Sequence, residues 1–175
     1  MLTTRLSATA KPHVLRHYLA LSAEDRRLRF GGALADSAIE SYVRLLDPAR
    51  DALFGVVDDE REIVGVAHVP IQADLAELGI SVLPQFRRRG IGTALVSRAA
   101  NHARAAGIAR LCMICLAENA TMLRIAKSLG MQVVNSGVSA HAVLALLPQV
   151  EPTRALQRSP IDLLTAPVAP LRQAR

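Results

Sequence analysis

Polar and apolar positions alternate most cleanly between Leu75 and Val82. Ala76, Leu78, Ile80 and Val82 fall on one face, and Glu77, Gly79 and Ser81 on the other, which is the period-two pattern of a strand. Pro84 breaks the pattern, and helical spacing follows from Gly90 to Ala106, with Ile91, Leu95, Ala99 and Ala103 on one stripe and Gly107 at the end. Earlier in the chain, Leu2 to Ala10 reads as a first strand or a loose end, and Pro12 to Leu21 is mixed. Ser22 with Asp25 three residues on marks a helix start, and that helix stops at Gly31-Gly32. Ser37 and Glu40 read as a capping box for a second helix carrying Ile39, Tyr42, Val43 and Leu46, ending at Asp47-Pro48.

Ala52 to Val57 and Glu62 to Val69 predict a hairpin across Asp58-Asp59-Glu60-Arg61. With a turn at Gln72 to Asp74, the strand over 75–82 makes a third antiparallel member. A strand over Arg110 to Leu116, a helix from Asn119 to Leu129, and strands over Met131 to Asn135 and His141 to Leu147 complete the order. The pattern is that of one α/β (α+β) domain over 1–148: a mixed, mostly antiparallel sheet with helices on both faces. Residues 149–175, rich in proline and arginine, are expected to be extended, as an arm that packs on a neighbour or stays loose.

Composition narrows the function classes. Half of the 175 residues are hydrophobic, yet no apolar run approaches the roughly 20 residues a membrane span needs. Met1 to Lys11 has no apolar segment of the kind a secretory leader carries, so the default expectation is a cytoplasmic protein without a membrane partner. The net charge is +6, and Gln85 to Ala117 contains six arginines and no carboxylate. Such a stretch suits a nucleic acid or a small polyanion. Aromatics are only 3%, which leaves few stacking platforms for single strands, so the small polyanion is favoured over nucleic acid. Cys112 and Cys115 have the spacing of a redox pair or half a zinc site. No second pair supplies the other two ligands, and their setting is a buried strand, so no metal is expected.

The candidate chemistry starts at Arg87-Arg88-Arg89-Gly90-Ile91-Gly92-Thr93. A strand that opens through a basic, glycine-containing loop into a helix makes an anion site: backbone N–H groups point one way, and the helix N-terminus adds about half a positive charge. Glycines at 90 and 92 let a phosphate come close. The spacing Arg87-x-x-Gly90-x-Gly92 after Val82-Leu83-Pro84 resembles the coenzyme-A signature of the GCN5-related N-acetyltransferases (GNAT). Asn119 and Gly130-Met131 match a second pattern of that family, with Met131 for the usual phenylalanine. The stretch His17 to Phe30 is similar, more weakly, to the opening of bacterial acetyltransferase domains that modify protein lysines.

The resemblance implies the acyl-CoA N-acyltransferase fold, acetyl-CoA as co-substrate, and cofactor contacts from Val82, Arg87, Arg88, Arg89, Gly90, Ile91, Gly92, Thr93 and Asn119. It also implies a tyrosine as general acid seven residues after the asparagine, where this chain has Ala126. Acetyl transfer needs a polarised carbonyl, most simply through a backbone N–H near Val82, and an amine made neutral by a base. Glu77 is the candidate base, on the strand face of Gly79 and Ser81; the alternative is a solvated surface glutamate. His68 reads as a core histidine, and His141 as a residue that can approach the cleft. The expected partners are an amine acceptor, either a protein lysine or a small molecule, and a second copy in a homodimer. The other function read here is a non-catalytic acyl-CoA-binding regulatory module.

Overall fold

The computed structural model describes residues 2–146, so the expected extended tail over 149–175 lies outside the described residues. In chain order the elements are β1 (Thr4–Arg5), α1 (Lys11–Leu19), α2 (Ala23–Phe30), α3 (Asp36–Leu45), β2 (Ala52–Val57), β3 (Ile63–Val69), β4 (Ile71–Gln72), β5 (Leu75–Glu77), β6 (Gly79–Val82), α4 (Ile91–Ala105), β7 (Arg110–Leu116), α5 (Ala120–Ser128), β8 (Gln132–Ser136) and β9 (Ser139–Ala145).

The strand expected over 75–82 is two strands, and they belong to different sheets. One sheet has the order β1-β2-β3-β6 and the other β4-β5-β7-β9-β8. β6 runs antiparallel to β3, whereas β5 runs parallel to β7. Leu78 sits at the break: its N–H still donates to Cys112 O of β7 at 2.8 Å, and beyond it the chain leaves β7. Side-chain alternation continues through the break. Ala76, Leu78 and Ile80 stay buried, and for that reason periodicity does not reveal it.

Helices cover both faces. α4 lays Leu95, Val96, Ala99 and Ala103 on Phe54, Val64, Ala67 and Leu78. On the other face, Val14 and Tyr18 of α1 and Ile39 and Val43 of α3 pack on Leu53 and Val66. The segment that read as mixed is α1. Its inward positions Val14, His17 and Tyr18 have helical spacing but include a histidine, and Pro12 sits in the first turn, where its missing N–H costs nothing. The Ser37–Glu40 capping box does not form. Ala35 is the N-cap, without a side-chain bond. Asp36, in the first turn, supplies the negative charge there and pairs with Arg26 of α2 at 2.6 Å. The Ser22 cap is present, its hydroxyl accepting from Asp25 N–H at 3.1 Å.

Candidate functional site

Where β6 parts from β7, it has an unpaired edge. Leu83 N–H donates to Val64 O, so residues 83, 81 and 79 face β3 with their hydrogen-bonding groups. By the alternation of an antiparallel ladder, Ile80 and Val82 turn theirs the other way. The guanidinium of Arg87 confirms the direction, since its Nε donates to Val82 O at 3.0 Å from outside the sheet. A cleft of about 360 Å³ follows this edge, with α2 on one side, β7 and α5 on the other and the start of α4 at one end.

That end is the basic loop. Pro84–Phe86 forms a short turn of 3₁₀ helix, and Arg88 and Gly90 both take left-handed backbone conformations, φ +63° and +78°. Gly90 is the N-cap of α4 and offers no side-chain cap, so the first amides of the helix are left for a ligand. The three arginines have different roles. Arg87 pairs with Asp25 of α2 at 2.6 Å, which neutralises it. Arg88 lines the cleft with Gly90, Ile91, Gly92 and Thr93. Arg89 turns away, donating to Gln85 O at 3.2 Å with its guanidinium over the Phe86 ring. A Cβ on Gly92 would lie 2.9 Å from Ile125 Cδ1, so this position is small to admit α5 as well as a ligand. Asn119 lines the cleft at the start of α5. Its Oδ1 caps the helix through Met122 N–H at 3.1 Å, which leaves Nδ2 free to donate.

The wall facing the helices holds two residues that sequence reasoning did not single out, His17 and Arg29. Ser81 is buried and its hydroxyl lies 2.8 Å from His17 Nε2, while His17 Nδ1 lies 3.0 Å from Ile63 O. The carbonyl only accepts, so Nδ1 carries the proton and Nε2 accepts from Ser81. Burial, against the helping Ile63 bond, pulls the His17 pKa down to about 4. Two residues up the strand, Arg29 of α2 lies against Gly79 and lines the cleft. Behind Arg29 stand Tyr42, His68 and Asp51 in a hydrogen-bonded row. His68 is thus a half-buried histidine with both ring nitrogens bonded, a structural role that its strand position suggested.

Glu77 shares the strand face of Gly79 and Ser81, but the structure does not bring it into the cleft lining. It is exposed on β5, opposite Cys112. His141 is also outside the lining, paired across the ladder with Ile114 and Val134. Ala126 is fully buried against Met113, Met131 and Ala142. Cys112 and Cys115, three residues apart on one strand, point to opposite faces. Burial pushes the Cys112 thiol up to about 11, and both thiols are free. Among the described residues, no group of three or more His, Cys, Asp or Glu could hold a metal ion, and no helix is long and apolar enough to cross a membrane. The six arginines do not form one patch. Arg110 pairs with Asp74, Arg104 bonds Asn101, and Arg98 stacks over Phe54.

Residues 17–131 match the profile described as the acetyltransferase (GNAT) family. A search of curated protein sequences gave no match. Among solved structures, the GNAT domain of S. lividans PAT superposes with a TM-score of 0.71 at 18% identity, covering 82% of this chain and 89% of that one. A Sinorhizobium meliloti phosphinothricin acetyltransferase in complex with AcCoA gives 0.68 at 14% identity, covering 92% and 96%. The ribosomal-protein-S18-alanine N-acetyltransferase of Escherichia coli gives 0.67 at 18%, covering 88% and 99%. With its parted sheets, its helix N-terminus at the cleft and a profile match over most of its length, the chain belongs to the GNAT family of acetyltransferases.

Proposed function

We propose that the protein moves an acetyl group in one step from acetyl-CoA to a primary amine, on a small molecule or a protein lysine. The observation that supports this most is the free edge of β6 ending at the uncapped start of α4. Amides from Gly90 to Thr93 suit the coenzyme's diphosphate, with Arg88 beside it. The edge of Ile80 and Val82 suits the amides of the pantetheine arm, which adds to the sheet as an extended strand would. The thioester then lies along β6, and the Val82 N–H donates to its carbonyl oxygen as charge builds there.

The amine attacks the thioester carbon, the C–S bond breaks, and the coenzyme leaves as thiolate. A lysine-like amine has a pKa of about 10.4, so a base must take its proton. Glu77 takes it through water at the edge of the cleft, on the face that Gly79 and Ser81 extend inward. Ala126 stands where the family resemblance calls for a tyrosine acid. A thiol pKa of about 8.5 lets the thiolate leave and take its proton from solvent. Direct transfer is favoured over an acyl-serine route: the base next to Ser81 is His17, whose pKa of about 4 makes it a poor acceptor of a hydroxyl proton.

The second reading, a regulatory acyl-CoA-binding module, is favoured by Ala126 and by the position of Glu77 outside the lining. Release of free thiol from acetyl-CoA across an amine panel, beside calorimetric binding of acetyl-CoA, separates the two. Turnover with at least one amine, slowed in Glu77→Gln at unchanged acetyl-CoA affinity, supports the transferase. Saturable binding with no turnover on any amine supports the module.

A further inference from the structure

Among the described residues, Arg29 is a cation without a counter-ion. Its side chain leaves α2 and lies among Tyr18, Phe30 and Tyr42, with the guanidinium carbon 5.8, 4.7 and 6.0 Å from the three ring centroids. No carboxylate of the described residues pairs with it, and Nε is fully buried with no hydrogen-bond partner. Of the five N–H donors a guanidinium carries, one is used, from Nη2 to the Tyr42 hydroxyl at 3.2 Å. Aromatic faces offset part of the cost of burying this charge, and the one further acceptor in the cage, the buried Tyr18 hydroxyl, is itself without a hydrogen-bond partner.

The row behind it sets its place. Asp51 only accepts, so His68 donates from Nε2 to Asp51 Oδ2 at 3.2 Å, and His68 Nδ1 accepts from the Tyr42 hydroxyl at 2.7 Å. The Tyr42 oxygen is thereby left to accept from Arg29. In front, the guanidinium presses on Gly79, where a Cβ would lie 2.5 Å from Cζ, Nη1 and Nη2, and it forms part of the cleft wall. Gly79 stands three residues from Val82 along β6, roughly 10 Å at the rise of a strand, on the side away from the loop that suits the diphosphate. Nε is closed off among the rings, so the donor left toward the cleft is Nη1, which is neither bonded nor buried, and it stands at the acceptor end rather than the end that suits the coenzyme's phosphates.

We propose that Arg29 is the carboxylate-binding group of the acceptor site, so that the acceptor is a small amine bearing a carboxylate, of the amino-acid class. This rests on the transferase reading above for the identity of the bound molecule as acceptor. Tyr42, His68 and Asp51 are positioning residues for the guanidinium. The small cleft, which must also admit the acyl-pantetheine arm, favours a free amino acid over a folded protein.

The test uses the full chain with CoA bound and a panel of free amino acids, each matched by its C-terminal amide. Nuclear magnetic resonance follows the Arg29 Nε–H signal, assigned by its loss in Arg29→Lys, and thiol release follows turnover. The expected result is a shift of that signal by at least one amino acid and not by its amide. In turnover, the acid should be preferred over the amide about 10- to 100-fold in kcat/KM, and the preference should be lost in Arg29→Gln. Gly79→Ala, which displaces the guanidinium, should lose it too, so the test survives if one variant fails to fold. Equal response to acids and amides in both readouts overturns the proposal, as does an Arg29→Gln variant that loses CoA affinity while keeping the acid preference. A shift without turnover keeps the subsite and removes the transferase reading, so the two fail separately.

Discussion

A carboxylate that helps an amine attack a thioester acts on kcat and leaves coenzyme binding alone. Glu77→Gln is therefore expected to lower kcat about 10²- to 10⁴-fold with acetyl-CoA affinity unchanged, and to leave a rate that recovers as pH rises and the free amine becomes more abundant. Steady-state kinetics from pH 6 to 10 check this. Arg87 gives the contrary pattern. It covers the Val82 carbonyl and neutralises Asp25, so Arg87→Ala exposes a carboxylate to the incoming diphosphate. Calorimetry should show CoA binding weakened about 10-fold, with kcat at saturation little changed. The loop itself was legible, because Arg87, Gly90 and Gly92 are close in sequence and their spacing carries meaning. Arg29 and Asp25 were not. They reach the cleft from a helix some 60 residues upstream, and nothing in the charged run Glu24-Asp25-Arg26-Arg27 sets Arg29 apart. His17 was hidden for a related reason: its partners, Ser81 and Ile63, are brought to it only by the packing of α1 on the sheet.

The placement of α4 depends on a strand it touches only through side chains. Gly65 of β3 lies under its first residue, and a Cβ there would come within 2.7 Å of Ile91 Cγ2 and 3.3 Å of Leu95 Cδ1. Ile91 is β-branched and has little rotamer freedom in a helix, so the helix start must move. Gly65→Ala is expected to cost about 1–3 kcal/mol of stability in urea unfolding and to weaken CoA binding, because the displaced end is the end that presents the amides. Elements with strong period and good stop signals were legible, among them α4, the β2–β3 hairpin and the Ser22 start of α2. The division of 75–82 into β5 and β6 was not. It is made by which neighbour takes each backbone group, with Leu78 the last to bond β7, and side-chain alternation is indifferent to that choice. The same division moves Glu77 onto the second sheet while Gly79 and Ser81 stay on the first, and so a correct reading of face still left the carboxylate outside the cleft lining.

For the molecule as a whole, the buried histidine couples the site to stability. The unfolded chain takes up a proton at a histidine near pH 6.5, whereas folded His17 resists it until about pH 4. Above pH 6.5 both states are neutral at this group and it contributes no pH dependence. As pH falls from 6.5 towards 4, the unfolded state alone gains the proton, so the fold loses stability, by about 2 kcal/mol at pH 5 and about 3 kcal/mol in all. His68 is shifted in the same direction, chiefly by burial, and adds to the same slope. Urea midpoints at pH 7 and pH 5 measure the sum, and His17→Leu isolates the share of His17. That variant should be less stable at pH 7, because the Ile63 carbonyl and the Ser81 hydroxyl lose their partner, yet lose less on going to pH 5. An unchanged slope would mean that His17 is solvated in the fold. The seam where α1 closes over β6 would then be open to water, and the dry wall behind Ser81 on which the cleft is built would not exist.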